Sequence, residues 1–271
     1  MANERTTSAN YTLYVYYTRY SSWGARAQLI LEHFDIPYKV QYYNFAKPSL
    51  CPPADLSTLP VLDVTTSSGG NTEPEPFRVR DSLAIAEYLA EQFPSKPLWP
   101  ADPHLRVLAR VAAATMHSSF AALRDACPSN FVARFEGPGI PFSDAVAKDV
   151  SKLLALWDST RVAAKKRLEQ LGQTDQGFLC GAFSIADAFF WPVLWRLRSY
   201  NVPLKGISED ALKWMETMWN DPVIKAQGRE YFRQAQDPQT EVPVYDDVFK
   251  NNPDVTSGKF TEDWVFEAAS V

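Results

Sequence analysis

Apolar residues change their spacing along this chain, and each change marks an element. Residues 11–17, YTLYVYY, form a short run rich in aromatic and β-branched side chains, which predicts a buried strand. From residue 22 the period lengthens. Trp23, Ala27, Ile30, Leu31 and Phe34 recur at helical spacing, so a helix follows the strand directly. A second strand is expected in PYKVQYYNF. A proline-rich loop, AKPSLCPPADLST, comes next, and then a third strand, LPVLDVT, entered through Pro60. SSGGNTEPEP has the composition of a turn. FRVR reads as a brief strand, and DSLAIAEYLAEQF as a helix opened by Asp81 and Ser82. The order is βαβ followed by ββα over residues 11–94, with residues 1–10 expected to form a disordered N-terminal tail.

The character then changes. PSKPLWPADPH carries four prolines in eleven residues, and residues 95–104 read as a linker. Beyond it, long stretches keep the helical period: residues 105–126, 142–171, 184–200 and 209–227. Residues 105–237 therefore predict an all-helical bundle domain. Residues 238–271 are punctuated by proline and read as an irregular C-terminal extension on the surface.

Composition narrows the classes of function. Hydrophobic residues make up 46% of the 271-residue chain, enough to fill a core. A formal charge of -5 argues against a nucleic-acid binder, which needs a basic face. The longest apolar runs, such as AFFWPVLW, are too short to span a bilayer, and MANERTTSAN lacks the apolar core of a signal peptide. Cys51, Cys127 and Cys180 lie far apart with no C-x-x-C, which points to a reducing, cytoplasmic setting. His33, His104 and His117 show no metal-ligand spacing, so no metal is expected.

Three short motifs carry more. In SIAD, Ser184 and Asp187 form a capping-box variant that opens a very apolar helix, and its plain reading is a folding device. In STLPVL, base rates alone favour a trans Leu59–Pro60 bond. In RDSLAIAEYLAE, Asp81 and Ser82 cap a helix. They also suit a zwitterion, because a helix N-terminus favours an anion and the adjacent acid a cation.

Together, in this order and spacing, SSWGAR, LPVL, DSLAIAEYL and FSIADAFFWP resemble the cytosolic glutathione transferases over residues 11–235. The serine pair is similar to the serine-type classes, zeta among them, and to a related bacterial branch with an S-S-W start. The resemblance implies an N-terminal thioredoxin-like domain that binds glutathione, a helical domain that forms the electrophile pocket, and a homodimer. It implies a cis Leu59–Pro60 bond, with Leu59 offering its backbone to the cysteinyl part of glutathione. Asp81 and Ser82 would hold the γ-glutamyl group and Lys47 the glycyl carboxylate.

The same resemblance sets Ser21 at the catalytic position, with Ser22 beside it. A seryl O–H, helix amides and the helix dipole all favour a thiolate over a thiol. Tyr16, Tyr17 and Tyr20 are rivals for the donor role, and capping alone is the plain alternative for either serine. Trp23 stands where zeta proteins usually carry cysteine, which argues against thiol exchange through the protein. For the second pocket, His117, Phe120, Ala121 and Arg124 share a helix face by i, i+3, i+4 spacing, as do Trp191, Trp195 and Arg198. With Tyr20 and Trp23 they form a candidate site for a small hydrophobic electrophile, while packing is the plain reading of the tryptophans. Ser199 falls where zeta-type isomerases hold their substrate with a cation. The leading expectation is a transferase. The alternatives are a glutathione-dependent cis-trans isomerase of a conjugated acid or carbonyl compound, and a non-catalytic glutathione-binding protein.

Overall fold

The computed structural model describes residues 9–66 and 77–267. The SSGGNTEPEP turn and residues 1–8 of the expected N-terminal tail lie outside the described residues. Residues 9 and 10 do not belong to a tail: they begin the first strand, β1 (Ala9–Tyr16).

In β1 the side chains of Tyr11, Leu13 and Val15 alternate into the core, as a strand with one buried face requires. Helix α1 (Ser22–His33) follows, then β2 (Lys39–Tyr43), β3 (Val61–Thr66), β4 (Phe77–Arg80) and α2 (Ser82–Gln92). The sheet order is β2-β1-β3-β4. β1 pairs parallel with β2, Thr12 opposite Lys39, and antiparallel with β3, Leu13 opposite Leu62. β4 pairs antiparallel with β3. Helix α1 is buried along most of its length because it packs on the sheet below and on helices of the second half above.

The second half comprises α3 (Pro103–Ser118), α4 (Ala121–Ala126), α5 (Asp144–Leu171), α6 (Ile185–Ser199), α7 (Glu209–Asn220) and α8 (Pro222–Ala235). Helix α6 is apolar nearly all round and forms the centre of the bundle, which fits a helix surrounded by others. Its start is the expected capping box, and the Asp187 carboxylate also accepts from Leu179 N–H and Trp214 Nε1–H, at 2.8 and 2.9 Å.

Four expectations change. The helix expected over 209–227 is two, α7 and α8, with Asp221 ending the first and capping the second. The helix expected over 105–126 breaks at Ser119–Phe120, where Phe120 takes a left-handed φ of 62°. The bundle is not wholly helical: β5 (Ala133–Glu136) pairs antiparallel with β6 (Thr256–Lys259) from the C-terminal extension. The extension is therefore structured, and it also carries α9 (Pro243–Asp246). Asp246 accepts from Tyr20 Oη–H at 2.6 Å, from Arg19 at 3.4 Å and from Asn130 at 3.1 Å. Asn44 donates to the carbonyls of Gln239 and Glu241, at 2.8 and 3.0 Å. These bonds fasten the extension to the turn between β1 and α1, to the loop after β2 and to the segment between α4 and β5.

Candidate functional site

The start of α1 is built by the residues between the two first elements. Ser21 is the N-cap, and its Oγ accepts from Gly24 N–H at 3.4 Å. Its own O–H donates to no described residue, and the side chain is half-exposed. Gly24 is required by space: a Cβ there would sit 2.8 Å from Val15 Cγ1 and 3.1 Å from Ser21 Oγ. Its absence lets the helix start approach the strand end.

Ser22, one residue on, is buried. Its Oγ accepts from Arg196 at 3.2 Å and its carbonyl from Arg26 at 2.9 Å. The tyrosines lie differently. Tyr17 stacks flat on Tyr42 at 5.1 Å, and burial raises its phenol above the ordinary range. Tyr20 is buried beneath the extension, with its hydroxyl committed to Asp246 and Val242.

The third strand enters through a cis Leu59–Pro60 bond, as the family resemblance implies and against the base rate. Leu59 is buried, and its N–H and C=O make no hydrogen bond to a described residue. Lys47 precedes a short turn of 3₁₀ helix and forms no ion pair among the described residues.

At the start of α2, Asp81 holds a φ of 77°, a conformation that costs of order 1–3 kcal/mol in a non-glycine residue. One carboxylate oxygen accepts from Leu83 and Ala84 N–H, at 2.7 and 3.2 Å. The other lies 3.4 Å from His117 Nε2. Ser82 is 1% exposed, and its hydroxyl has no partner among the described residues. His117 Nδ1 and Arg124 Nε are likewise buried without partners. The His117 ring lies 5.2 Å from Trp23, and the Arg124 guanidinium 5.4 Å from the same indole. Asp81, Ser82, Trp23, His117 and Arg124 thus meet where α1, α2, α3 and α4 converge, with buried polar atoms that bond to no described residue.

Other expected residues lie elsewhere. Phe120 sits at the break between α3 and α4, 3% exposed, so it shares no helix face with His117 and Arg124. Trp191 and Trp195 are core residues packed on Phe131. Arg198 lies among the rings of Phe131, Trp219, Phe260 and Trp264 and lines a cavity of about 670 Å³ beneath the extension. That group forms a separate place from the one around Trp23.

Two residues that the sequence reading left without a site role are Arg26, the arginine that closes SSWGAR, and Arg196. Arg26 donates to Phe189 O at 2.8 Å and to Met116 Sδ at 2.9 Å, and Arg196 to Cys127 O at 3.0 Å. A signal existed for Arg26. It falls three residues after Trp23 and four before Ile30, a cation inside the apolar stripe.

Fold and sequence comparison agree on the class. Residues 107–217 match the family described as Glutathione S-transferase, C-terminal domain. That stretch is similar to such domains, and the chain as a whole has the fold of the glutathione transferases. Among curated proteins, pyrimidodiazepine synthase of Drosophila melanogaster is 29% identical over 224 residues, 79% of each chain. A stringent starvation protein A homolog of Haemophilus ducreyi is 27% identical over 136 residues, 49% of this chain and 54% of that one. Among solved structures, a maleylacetoacetate isomerase from Anaeromyxobacter dehalogenans, with bound dicarboxyethyl glutathione and citrate, aligns with a TM-score of 0.59 at 21% identity. That alignment covers 87% of this chain and 98% of the isomerase. A glutathione transferase homolog from Burkholderia gl BGR1, with bound glutathione, aligns at 0.54 and 22% identity, covering 84% and 99%. No helix among the described residues is long and apolar enough to cross a membrane.

Proposed function

We propose that this chain is a glutathione transferase in which the Ser21 hydroxyl helps a glutathione thiolate attack a hydrophobic electrophile. The observation that carries this reading is one convergence. Asp81 lies against His117, and His117 and Arg124 lie against Trp23, on the helix whose half-exposed N-cap Ser21 donates its O–H to no described residue.

Asp81 takes the γ-glutamyl ammonium, while Ser82 O–H and the first amides of α2 take its carboxylate. Leu59 N–H and C=O pair with the cysteinyl backbone, and Lys47 with the glycyl carboxylate. The sulfur then lies at the start of α1. A thiol has a reference pKa near 8.5. Lowering it by about two units needs about 2.7 kcal/mol of preference for the thiolate. One charge-assisted hydrogen bond from Ser21 supplies roughly 1.5–3 kcal/mol, and the helix start a further 0.3–1 kcal/mol. The electrophile lies against Trp23, His117 and Arg124. The new C–S bond forms as the electrophile's leaving group, or its conjugated π pair, takes up the electrons.

A second reading, a glutathione-dependent cis-trans isomerase, is favoured by the fold likeness to the maleylacetoacetate isomerase. In that reaction the thiolate adds to a double bond, rotation follows and the thiol leaves. Ser199 weighs against it, since its hydroxyl is buried and donates to Asn130 O, leaving no cation at that position. We place the protein in the cytoplasm as a homodimer. Phe77, Val107 and Val111 are exposed apolar residues that a partner subunit would cover.

Calorimetry with reduced glutathione tests the binding, and mass spectrometry of products tests the reaction. An adduct heavier by glutathione supports transfer, whereas an unchanged mass with a shifted spectrum supports isomerisation. Binding without turnover across a panel of electrophiles leaves only a binding protein, and no binding removes all three.

A further inference from the structure

Two buried arginines stand behind the start of α1 and pair with no carboxylate among the described residues. Arg26 is 0% exposed and Arg196 5%. Their hydrogen-bond partners are carbonyls, a thioether and a hydroxyl: Phe189 O, Ser22 O and Met116 Sδ for Arg26; Cys127 O, Pro192 O and Ser22 Oγ for Arg196. Arg26 also lies over the Trp23 ring at 4.4 Å, a neutral partner. Both arginines meet at Ser22, one from within α1 and the other from α6. We infer that Arg26 and Arg196 are positioning residues that hold a standing positive charge under the N-terminus of α1, and that Ser22 couples this charge to an anion bound beside Ser21. The anion is the glutathione thiolate, so the inference rests on the function proposed above.

The reason is electrostatic. A buried cation without an anion is costly, and apolar residues of similar volume usually pack at least as stably. Packing alone therefore gives no reason for two such cations at one serine. A bound anion at the helix start supplies the missing counter-charge.

The neighbouring ionisable groups do not supply it. Cys127 is a thiol pushed up to about 12 by burial, and burial also raises the Tyr200 phenol. Each stays neutral at physiological pH. Burial, together with the mutual repulsion of Arg26, Arg196 and Arg124, disfavours the charged form of Arg26 and pulls it below its ordinary range. From α2 the facing acid is Asp81, which lies against His117 of α3. From the turn before α1 come Tyr17, Arg19 and Tyr20, and from α9 Asp246, which is bonded to Arg19 and Tyr20. Neither acid contacts Arg26 or Arg196.

The test is the ionisation of bound glutathione, followed by thiolate absorbance in the ultraviolet across pH. Arg196→Met is expected to raise the bound thiol pKa by about one unit, roughly a tenfold loss of thiolate at a pH below both values. Arg196→Lys keeps a charge and is expected to restore part of the shift. Affinity for S-methylglutathione, which has no ionisable thiol, stays within twofold in every variant. Ser22→Ala, which removes the Oγ contact and leaves both arginines, also raises the pKa, and it serves if Arg196→Met does not fold. An unchanged pKa in these variants overturns the inference while glutathione binding stands. A parallel loss of S-methylglutathione affinity overturns it too, since it marks a purely structural role. If the wild-type protein does not bind glutathione, the inference and the proposed function fall together.

Discussion

Replacing Ser21 with alanine separates a cap from a catalyst, because the two roles differ in size and in the property they move. As a cap, the Ser21 oxygen accepts from Gly24 N–H at 3.4 Å, near the outer edge of hydrogen-bond geometry. Its loss should therefore cost about 0.5 kcal/mol, the low end for N-caps. As a donor, its O–H makes a charge-assisted bond to the thiolate worth roughly 1.5–3 kcal/mol, which corresponds to about one to two pKa units. The sign follows from which form is bonded. The hydroxyl favours the thiolate, so it lowers the pKa, and its removal raises it. Catalysis by the thiolate is present above the pKa and lost as pH falls through it.

With a bound thiol near pKa 6.5 in the wild type and about 8 in Ser21→Ala, the thiolate fraction at pH 6.5 falls from about one half to about 3%. Turnover at pH 6.5 should therefore drop by about fifteenfold, while turnover at pH 9 stays within about twofold. The assay is kcat/KM against pH with a chromogenic electrophile, alongside a thermal melt. A small fall in Tm with an unchanged pH profile would refute the donor role and leave Ser21 as a cap. Tyr17→Phe is the matched control. If it moves the profile and Ser21→Ala does not, the hydroxyl belongs to the tyrosine stacked on Tyr42.

Other consequences follow from groups outside the helix start. Asp187→Ala leaves buried donors on Leu179, Ser184 and Trp214 without their acceptor and should cost about 3–5 kcal/mol, read from urea denaturation. Asp246→Ala frees Tyr20, Arg19 and Asn130 under the extension and should cost about 2–4 kcal/mol in the same experiment, whereas a change under about 0.5 kcal/mol would mean that the extension is only laid on the surface. Cys51 is exposed, while burial pushes the thiols of Cys127 and Cys180 up, so a thiol reagent at pH 8 should titrate one cysteine in the native protein and three after denaturation.

Much of the fold was legible because burial on one face imposes a period. The strand–helix alternation of residues 11–94 and the length of α5 follow from it. What was not legible depends on partners far along the chain. Residues 105–126 keep the helical spacing, yet the helix stops at Ser119, where two serines weaken the local preference. The Asp149 carboxylate of α5 accepts from Leu123 N–H at 3.1 Å and so serves the first turn of α4 from outside. No local sequence rule contains that contact. β6, TSGK, has no apolar pattern and all four of its residues are exposed, so it is a strand only through its pairing with β5.

The candidate site shows the same limit at finer grain. Helical spacing correctly groups Trp191, Trp195 and Arg198, but it does not say which face of α6 meets α1. That face carries Phe189 and Arg196. Two residues along a helix turn it by about 200°, so Arg196 and Arg198 point into different surroundings. Ser21 and Ser22 pose the problem one residue apart, a rotation of about 100°. Both are small hydroxyls at a helix start, and only the family resemblance sets Ser21 ahead of Ser22. Packing separates them. Ser21 stays at the N-cap with its O–H undonated, while Ser22 turns inward and receives Arg196. If the thiolate is held as proposed, the first serine touches it, and the second conveys charge from the other half of the molecule. The pair would then join the two halves of the fold at the reacting atom.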